Sequence, residues 1–293
     1  MTTTDEPLPD LIAKIRHRSV TVRISAARTL GKLGWPAREA LPVLAEALYD
    51  NEPRVREAAA QAIGQFGPDA IPTLAEMLSH TDKYVRRNAV WGLGKLGPTA
   101  KAVLPHLCRT LQDPDPRTAS GAAQALGSMG TVAADAVPAL AEAMRGTNIV
   151  LCRLAAKSLS QIGRPALQTL IAHLRHHDPF VRGEAAVALG WMGPAAASAV
   201  PYLVEILRTP PAHRRPATTS AVMGHHTPAT PLAISSSEVA TAEDNARANA
   251  AQALGRIGSA AAAAVPVLEH TLNDPVPAVR DAAEMALRQI RSQ

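Results

Sequence analysis

Three short elements recur along this chain at fixed distances, and such recurrence commits a chain to an array of like units rather than a single-layer core. A Val-Arg pair at Val55-Arg56 returns as Val22-Arg23, Val85-Arg86, Val181-Arg182 and Val279-Arg280, with looser forms at Thr118-Ala119, Leu151-Cys152 and Ala246-Arg247. Nine residues after the first member of each pair comes a GxxG element, beginning at Gly31, Gly64, Gly94, Gly127, Gly190 and Gly255, with Ser160 in place of the first glycine in the fifth copy. A Pro-x-Leu element follows at Pro42, Pro72, Pro105, Pro138, Pro201 and Pro266; Gln168 stands in once, and Pro9 is an earlier copy. From each proline to the next Val-Arg the distance is 13 residues, except that Pro201 to Ala246 is 45, so 32 residues are inserted there.

Within one unit the apolar residues Val55, Ala59, Ile63 and Phe66 fall at helical spacing and give one buried stripe. This is helix A, and the glycines end it. Helix B runs from about the proline through leucines such as Leu74 and Leu78, and the Asp-Pro pairs Asp113-Pro114, Asp178-Pro179 and Asp274-Pro275 are expected to cap the next helix A. One helix pair cannot bury its own apolar face, so neighbours must stack. The markers predict an all-α fold, an α-solenoid of eight B and eight A helices. It begins near Leu8, ends near Ile290, and carries a more polar terminal helix through Arg280, Asp281, Glu284, Arg288 and Arg291. The expected organisation is repeats over 8–207, a flexible Pro/Ser/Thr-rich insertion over 208–243, and final repeats with a cap helix over 244–291. Within the insertion, Val222-Met223 and Leu232-Ala233-Ile234 are candidates for local docking.

Composition fits a thin, alanine-rich helical core, since 47% of residues are hydrophobic but only 3% are aromatic. Cys108 and Cys152 cannot build a disulfide framework, and the N-terminal MTTTDEPLPD has neither a basic nor an apolar leader segment. A cytoplasmic protein with free thiols is expected. Every Ala/Leu stretch is broken by Pro, Gly or charge short of the roughly 20 residues that cross a bilayer, so no membrane insertion is expected.

Copies such as VREAAAQAIGQFGP and VRGEAAVALGWMGP resemble the HEAT-like repeats first associated with phycobilisome lyases, over nearly the whole chain outside the insertion. The resemblance implies a HEAT-type solenoid whose B helices line a concave surface. It specifies function weakly, because one fold hosts unrelated activities.

Function in a repeat array shows where one copy departs from its siblings. On helix A the positions one before, six after and ten after the Val share a face. They read Thr21/Arg28/Lys32, Arg54/Gln61/Gln65, Arg117/Gln124/Ser128 and Asn245/Gln252/Arg256, but become Tyr84/Trp91/Lys95 in the third copy and Phe180/Val187/Trp191 in the sixth. Tryptophan at a normally wet position marks a candidate partner site; for Trp191 the alternative is that the insertion folds back over it. On helix B, four residues after the Pro marker, the column reads Glu46, Glu76, Arg109, Glu142, Ala172, Glu205 and His270, with Tyr202 beside Glu205 on the same helix. This predicts a mainly acidic inner wall, either a partner surface or a solvated face, and its sign is wrong for a nucleic-acid groove.

The net charge of +5 is modest, and Arg23, Arg56, Arg86, Arg182, Arg247 and Arg280 belong to the Val-Arg marker, where hydrogen bonding to inter-repeat loops and their Asp residues is the expected role. Nucleic acid therefore ranks below protein as a partner. HEAT repeats also build deoxyhypusine hydroxylases, which hold two metals through His-Glu pairs, but this chain has no His-Glu dipeptide. His173, His176, His177 and Asp178 form the one local cluster to weigh as a metal site, while His213, His225 and His226 lie in the insertion. No residues match a catalytic motif, and the resemblance to bilin lyases leaves chromophore handling as the enzymatic alternative. The sequence points to a non-catalytic scaffold or adaptor without cofactor, binding a protein partner through Tyr84, Trp91, Phe180, Trp191, Tyr202 and the glutamates Glu46, Glu76, Glu142 and Glu205.

Overall fold

A computed structural model describes residues 6–209 and 236–292, with the backbone alone for 236–240. All regular structure among the described residues is helical. The B helices are α1 (Leu8–Lys14), α3 (Leu41–Ala47), α5 (Ile71–Met77), α7 (Leu104–Thr110), α9 (Val137–Met144), α11 (Leu167–His173), α13 (Val200–Leu207) and α15 (Val265–Thr271). The A helices are α2 (Val20–Leu33), α4 (Pro53–Ile63), α6 (Lys83–Leu96), α8 (Pro116–Ser128), α10 (Ile149–Ile162), α12 (Pro179–Met192), α14 (Ser236–Ile257) and α16 (Pro277–Arg291). The eight-and-eight alternation is the one the markers predict, and the marker proline sits in the first turn of its B helix, where it needs no N–H partner. Between each A helix and the following B helix lies a 3-10 segment, such as Gly97–Val103, that the spacing did not reveal.

The chain forms two compact units, Met1–Ile162 and Gly163–Gln293. In the first, α2, α4, α6, α8 and α10 pack each on the next, and every B helix packs on the A helix that follows it. In the second, α12, α14 and α16 form the A layer and α11, α13 and α15 the B layer. Each core is a ladder of equivalent side chains. Leu30, Ile63, Leu93, Leu126 and Leu159 on the A helices and Leu44, Leu74, Leu107 and Leu140 on the B helices of the first unit, and Leu170, Leu189, Leu203 and Leu254 in the second, are all wholly buried. Burying each contributes about 2 kcal/mol, and the small residues around them let the helices approach.

The two glycines of GxxG do different work. The second has positive φ in all seven copies, from 52° at Gly97 to 78° at Gly163, the left-handed turn that lets the chain leave helix A. The first lies in ordinary helix and is a contact point. A Cβ on Gly31 would stand 2.8 Å from the Cα of Ala62, on Gly190 3.0 Å from that of Ala253, and on Gly255 2.8 Å from that of Ala286. Helices α2, α6 and α12 end at the second glycine, whereas α4 already ends at its first, Gly64, which refines the expectation that both end every copy.

Five of the six marker arginines act as expected, as clips between successive loops, while Arg280 on the last helix donates to the carbonyls of Asp274 and Pro275. Arg23 pairs with Asp50 at 2.8 Å, Arg56 with Asp82 at 2.7 Å and Arg86 with Asp113 at 2.7 Å, while Arg182 takes Glu243 and Arg247 takes Asp274. In Arg23, Arg56, Arg86 and Arg182 another N–H of the same guanidinium donates to two carbonyls of the loop before its own helix, as Arg86 does to His80 and Thr81 at 2.8 and 3.0 Å. Where the fifth copy has Cys152 instead, its thiol donates to the equivalent carbonyl, that of Gly146, at 3.0 Å.

Two expected caps are displaced. Asp178 caps α12 through the Phe180 N–H, but α8 is capped by Asp115 and α16 starts after Val276. Asp113 and Asp274 stand two residues earlier, each accepting the N–H two residues on and a marker arginine. Helix α14 begins at Ser236, inside the segment assigned to the insertion, and at 22 residues exceeds the other A helices. The docking candidates Val222-Met223 and Leu232-Ala233-Ile234, and the histidines His213, His225 and His226, lie outside the described residues. By length and mean hydropathy the stretches 179–207 and 241–271 are long and apolar enough to cross a membrane. Each is nevertheless a helix pair broken at a left-handed glycine, Gly193 or Gly258, and contributes buried residues such as Leu189 and Leu254 to the core.

Candidate interaction surface

The helix-A stripe is built by the close approach just described. The Gly31–Ala62 type of contact brings neighbouring A helices together, so the residues one before, six after and ten after each Val are left facing outward. In the first unit all of these positions on α2, α4, α6, α8 and α10 are exposed. Two aromatics stand among them, Tyr84 at 44% and Trp91 at 45% exposure. The edge of the Trp91 ring lies over Gly64, where a Cβ would meet Cζ3 at 3.1 Å. The Lys95 ammonium sits 4.7 Å from the ring centroid and donates to Gln65 at 2.9 Å. Tyr84 carries Arg87 over its ring at 5.1 Å, and Arg87 is itself bound in a fork to Asp115, with its Nε donating at 2.8 Å. The hydrogen bond from Arg87, against the opposing effect of burial, holds the Asp115 carboxyl far below the usual carboxylate range, with Thr118 assisting. Between α6 and α8 a depression of about 360 Å³ is lined by Trp91, Lys95, Arg117, Gln124 and Ser128 over a floor of Gly94 and Gly121.

In the second unit, Phe180 is half-buried at the start of α12 and Trp191, 47% exposed, stands near its end. The residues that would fold back over Trp191 are outside those described. The two aromatic pairs thus belong to different units.

The helix-B column has a different electrostatic character from the one its glutamates suggest. Glu46 pairs with Arg16 at 2.6 Å, Glu205 with Arg175 at 3.3 Å, and Glu142 with Arg145. Arg175 also lies 4.7 Å over the ring of Tyr202. Of the four glutamates, only Glu76 has no ion pair among the described residues. A second column seven residues after each Pro marker, holding Arg16, Arg145 and Arg175, balances the first.

The sequence reading missed two things. It described the stripe in the first unit as wet without reading its sign: Arg28, Lys32, Arg54, Lys95, Arg117 and Lys157 are cations, and no carboxylate occupies any equivalent position. It also passed over Trp35, 51% exposed beneath Arg38 in the 3-10 segment after α2, because that position has no aromatic sibling.

No three His, Cys, Asp or Glu side chains converge to hold a metal among the described residues. His173 is buried with Nδ1 on the Thr169 carbonyl at 2.7 Å, and its ring stacks near His176 at 6.2 Å. Cys152 is buried, and burial pushes the Cys108 thiol up, with Asp135 adding to the shift.

The model of HEAT repeats matches residues 8–82, 71–150, 137–223 and 237–293. The chain belongs to the HEAT-repeat family. Among solved structures, this HEAT-repeat chain is similar to YibA of Escherichia coli, with 17% identity over 97% of this chain and 92% of that one and a TM-score of 0.50. It is also similar to the complex of CpcE and CpcF of phycocyanin lyase from a Nostoc species, with 21% identity over 100% and 96% and a TM-score of 0.46. Human deoxyhypusine hydroxylase in complex with glycerol gives 22% identity over 98% and 96% and a TM-score of 0.38. These likenesses concern the fold alone. No curated protein matches the chain significantly.

Proposed function

We propose that this HEAT-repeat chain is a non-catalytic scaffold that binds a protein partner through the helix-A face of its first unit, centred on Tyr84 and Trp91. The observation that carries the reading is Trp91, a large ring left nearly half exposed at a position that the other A helices of the first unit fill with Arg28, Gln61, Gln124 and Lys157. A ring held by Gly64 and Lys95 loses little freedom when covered, so its area can contribute to binding with small entropic cost. The patch of Phe180 and Trp191 offers the second unit's counterpart, and Tyr202 with Glu205 a lesser polar site. The helix-B glutamates Glu46 and Glu142 serve mainly to balance neighbouring arginines.

Replacing Trp91 by Ala is the test. Circular dichroism should retain the wild-type helicity, since the side chain stands outside the wholly buried ladder, while recovery of partner proteins from native-cell extract should fall by at least about tenfold, a loss ordinary for a hot-spot tryptophan. Unchanged recovery with intact helicity would count against the face.

A further inference from the structure

Deepening the proposed reading and resting on it, we infer that the helix-A face of the first unit takes an extended, acidic polypeptide segment. Arg28, Lys32, Arg54, Lys95, Arg117 and Lys157 are all exposed along this face, and no Asp or Glu occupies an equivalent position on the five helices. None of the six is ion-paired among the described residues, and Lys95 is held by neutral groups, the Gln65 amide and the Trp91 ring. On the helix-B face, in contrast, Arg16, Arg145 and Arg175 are matched by Glu46, Glu142 and Glu205, and Arg109 stands in a column that also holds Glu76, which has no ion pair among the described residues. Unpaired charge of one sign on one face favours a partner of the opposite sign.

The repeat fixes the spacing of that partner's charges. Packed helices stand about 8–10 Å apart, and an extended chain advances about 3.3 Å per residue. A carboxylate at every third residue therefore meets consecutive A helices. The depressions between helices suit a backbone: Gly31 and Ala62 floor one of about 420 Å³ between α2 and α4, and Gln61 and Gln65 on its wall offer amides that both donate and accept.

Single-stranded nucleic acid has the same sign but needs open aromatic faces on which bases stack. Here the rings carry cations instead, Lys95 over Trp91 at 4.7 Å and Arg87 and Lys83 over Tyr84 at 5.1 and 5.5 Å. They present edges and charge rather than a free platform.

The experiment titrates the full chain into a fluorescein-labelled synthetic peptide with Glu at every third residue and Ser and Gly between, and separately into labelled oligothymidylate, following anisotropy. The peptide should bind, and more weakly as salt rises. Joint Lys95→Glu and Arg117→Glu substitution should weaken it by about tenfold or more, whereas Arg145→Glu on the helix-B face should leave it unchanged. If the charge-reversed chain loses helicity, Lys95→Gln with Arg117→Gln replaces it, with the same direction expected. Absence of peptide binding, equal weakening by Arg145→Glu, or tighter binding of oligothymidylate would overturn the inference. Partner recovery by the Trp91→Ala variant is measured independently. Loss there alongside a silent peptide leaves the interaction face standing and removes its acidic ligand.

Discussion

At the scale of single residues, the two glycines of each GxxG element look alike in sequence and differ in physics. Gly130 has φ 59° with open space around it, so a side chain there meets only conformational strain. Gly31 has helical backbone but no room against Ala62. Gly130→Ala should therefore cost about 1–3 kcal/mol through strain alone, and Gly130→Asn about as much, because open space makes the larger side chain no worse. Gly31→Ala should cost about 1–3 kcal/mol through overpacking, and Gly31→Asn more. Urea midpoints of the four variants check this, and a common ranking at both positions would contradict the division of roles. That division was not legible in the sequence, which records two identical letters; a left-handed turn and a close helix contact both select glycine.

At the scale of elements, the arginine clips joining one loop to the next make the stack sensitive to acid. Burial alone would raise the Asp50 and Asp82 carboxyls, but the hydrogen bonds and charges they receive, from Arg23 and the Glu52 N–H and from the Tyr84 N–H and Arg56, outweigh it and hold both below the ordinary value. An unfolded Asp titrates at about 3.9. A carboxylate with a lower folded value stabilises fully above that pH and loses its contribution as pH falls through the folded value. Thermal midpoints should thus fall slightly below about pH 6.5, where burial holds the His80 imidazole below its ordinary value and disfavours its charging, and drop more steeply below about pH 4 as the clips are lost. Asp82→Asn should start from a lower midpoint at pH 7 and fall less steeply below pH 4; curves parallel to wild type would exclude the clip as a source of acid lability. The arginine half of this device was readable, because Val-Arg recurs at fixed spacing. The acceptors were only partly so: Asp50, Asp82, Asp113, Asp274 and Glu243 stand at shifting offsets from the next Val. Asp113 and Asp274 were accordingly mistaken for caps.

At the scale of the whole molecule, helix number, order and type followed from the spacing of three markers, because a stack repeats one local solution and each copy confirms the others. The long start of α14 did not, since Ser236 to Glu243 carry no marker. The candidate surfaces were legible as departures from the repeat, and Trp91 stands exposed where that reading put it. Their electrostatics were not, because the sign of a face depends on pairs 30 residues apart, such as Arg16 with Glu46 and Arg175 with Glu205. Such pairs balance the helix-B column and leave the helix-A face of the first unit with unpaired cations around Trp91. The account stands on that asymmetry. Photo-crosslinking tests it most directly, with a benzophenone amino acid placed at position 91 in one chain and at position 76 in another, each expressed in its native cell. Crosslinked polypeptide should appear at position 91 and be absent at position 76; crosslinking at 76 with none at 91 would place the partner on the helix-B face and contradict the account.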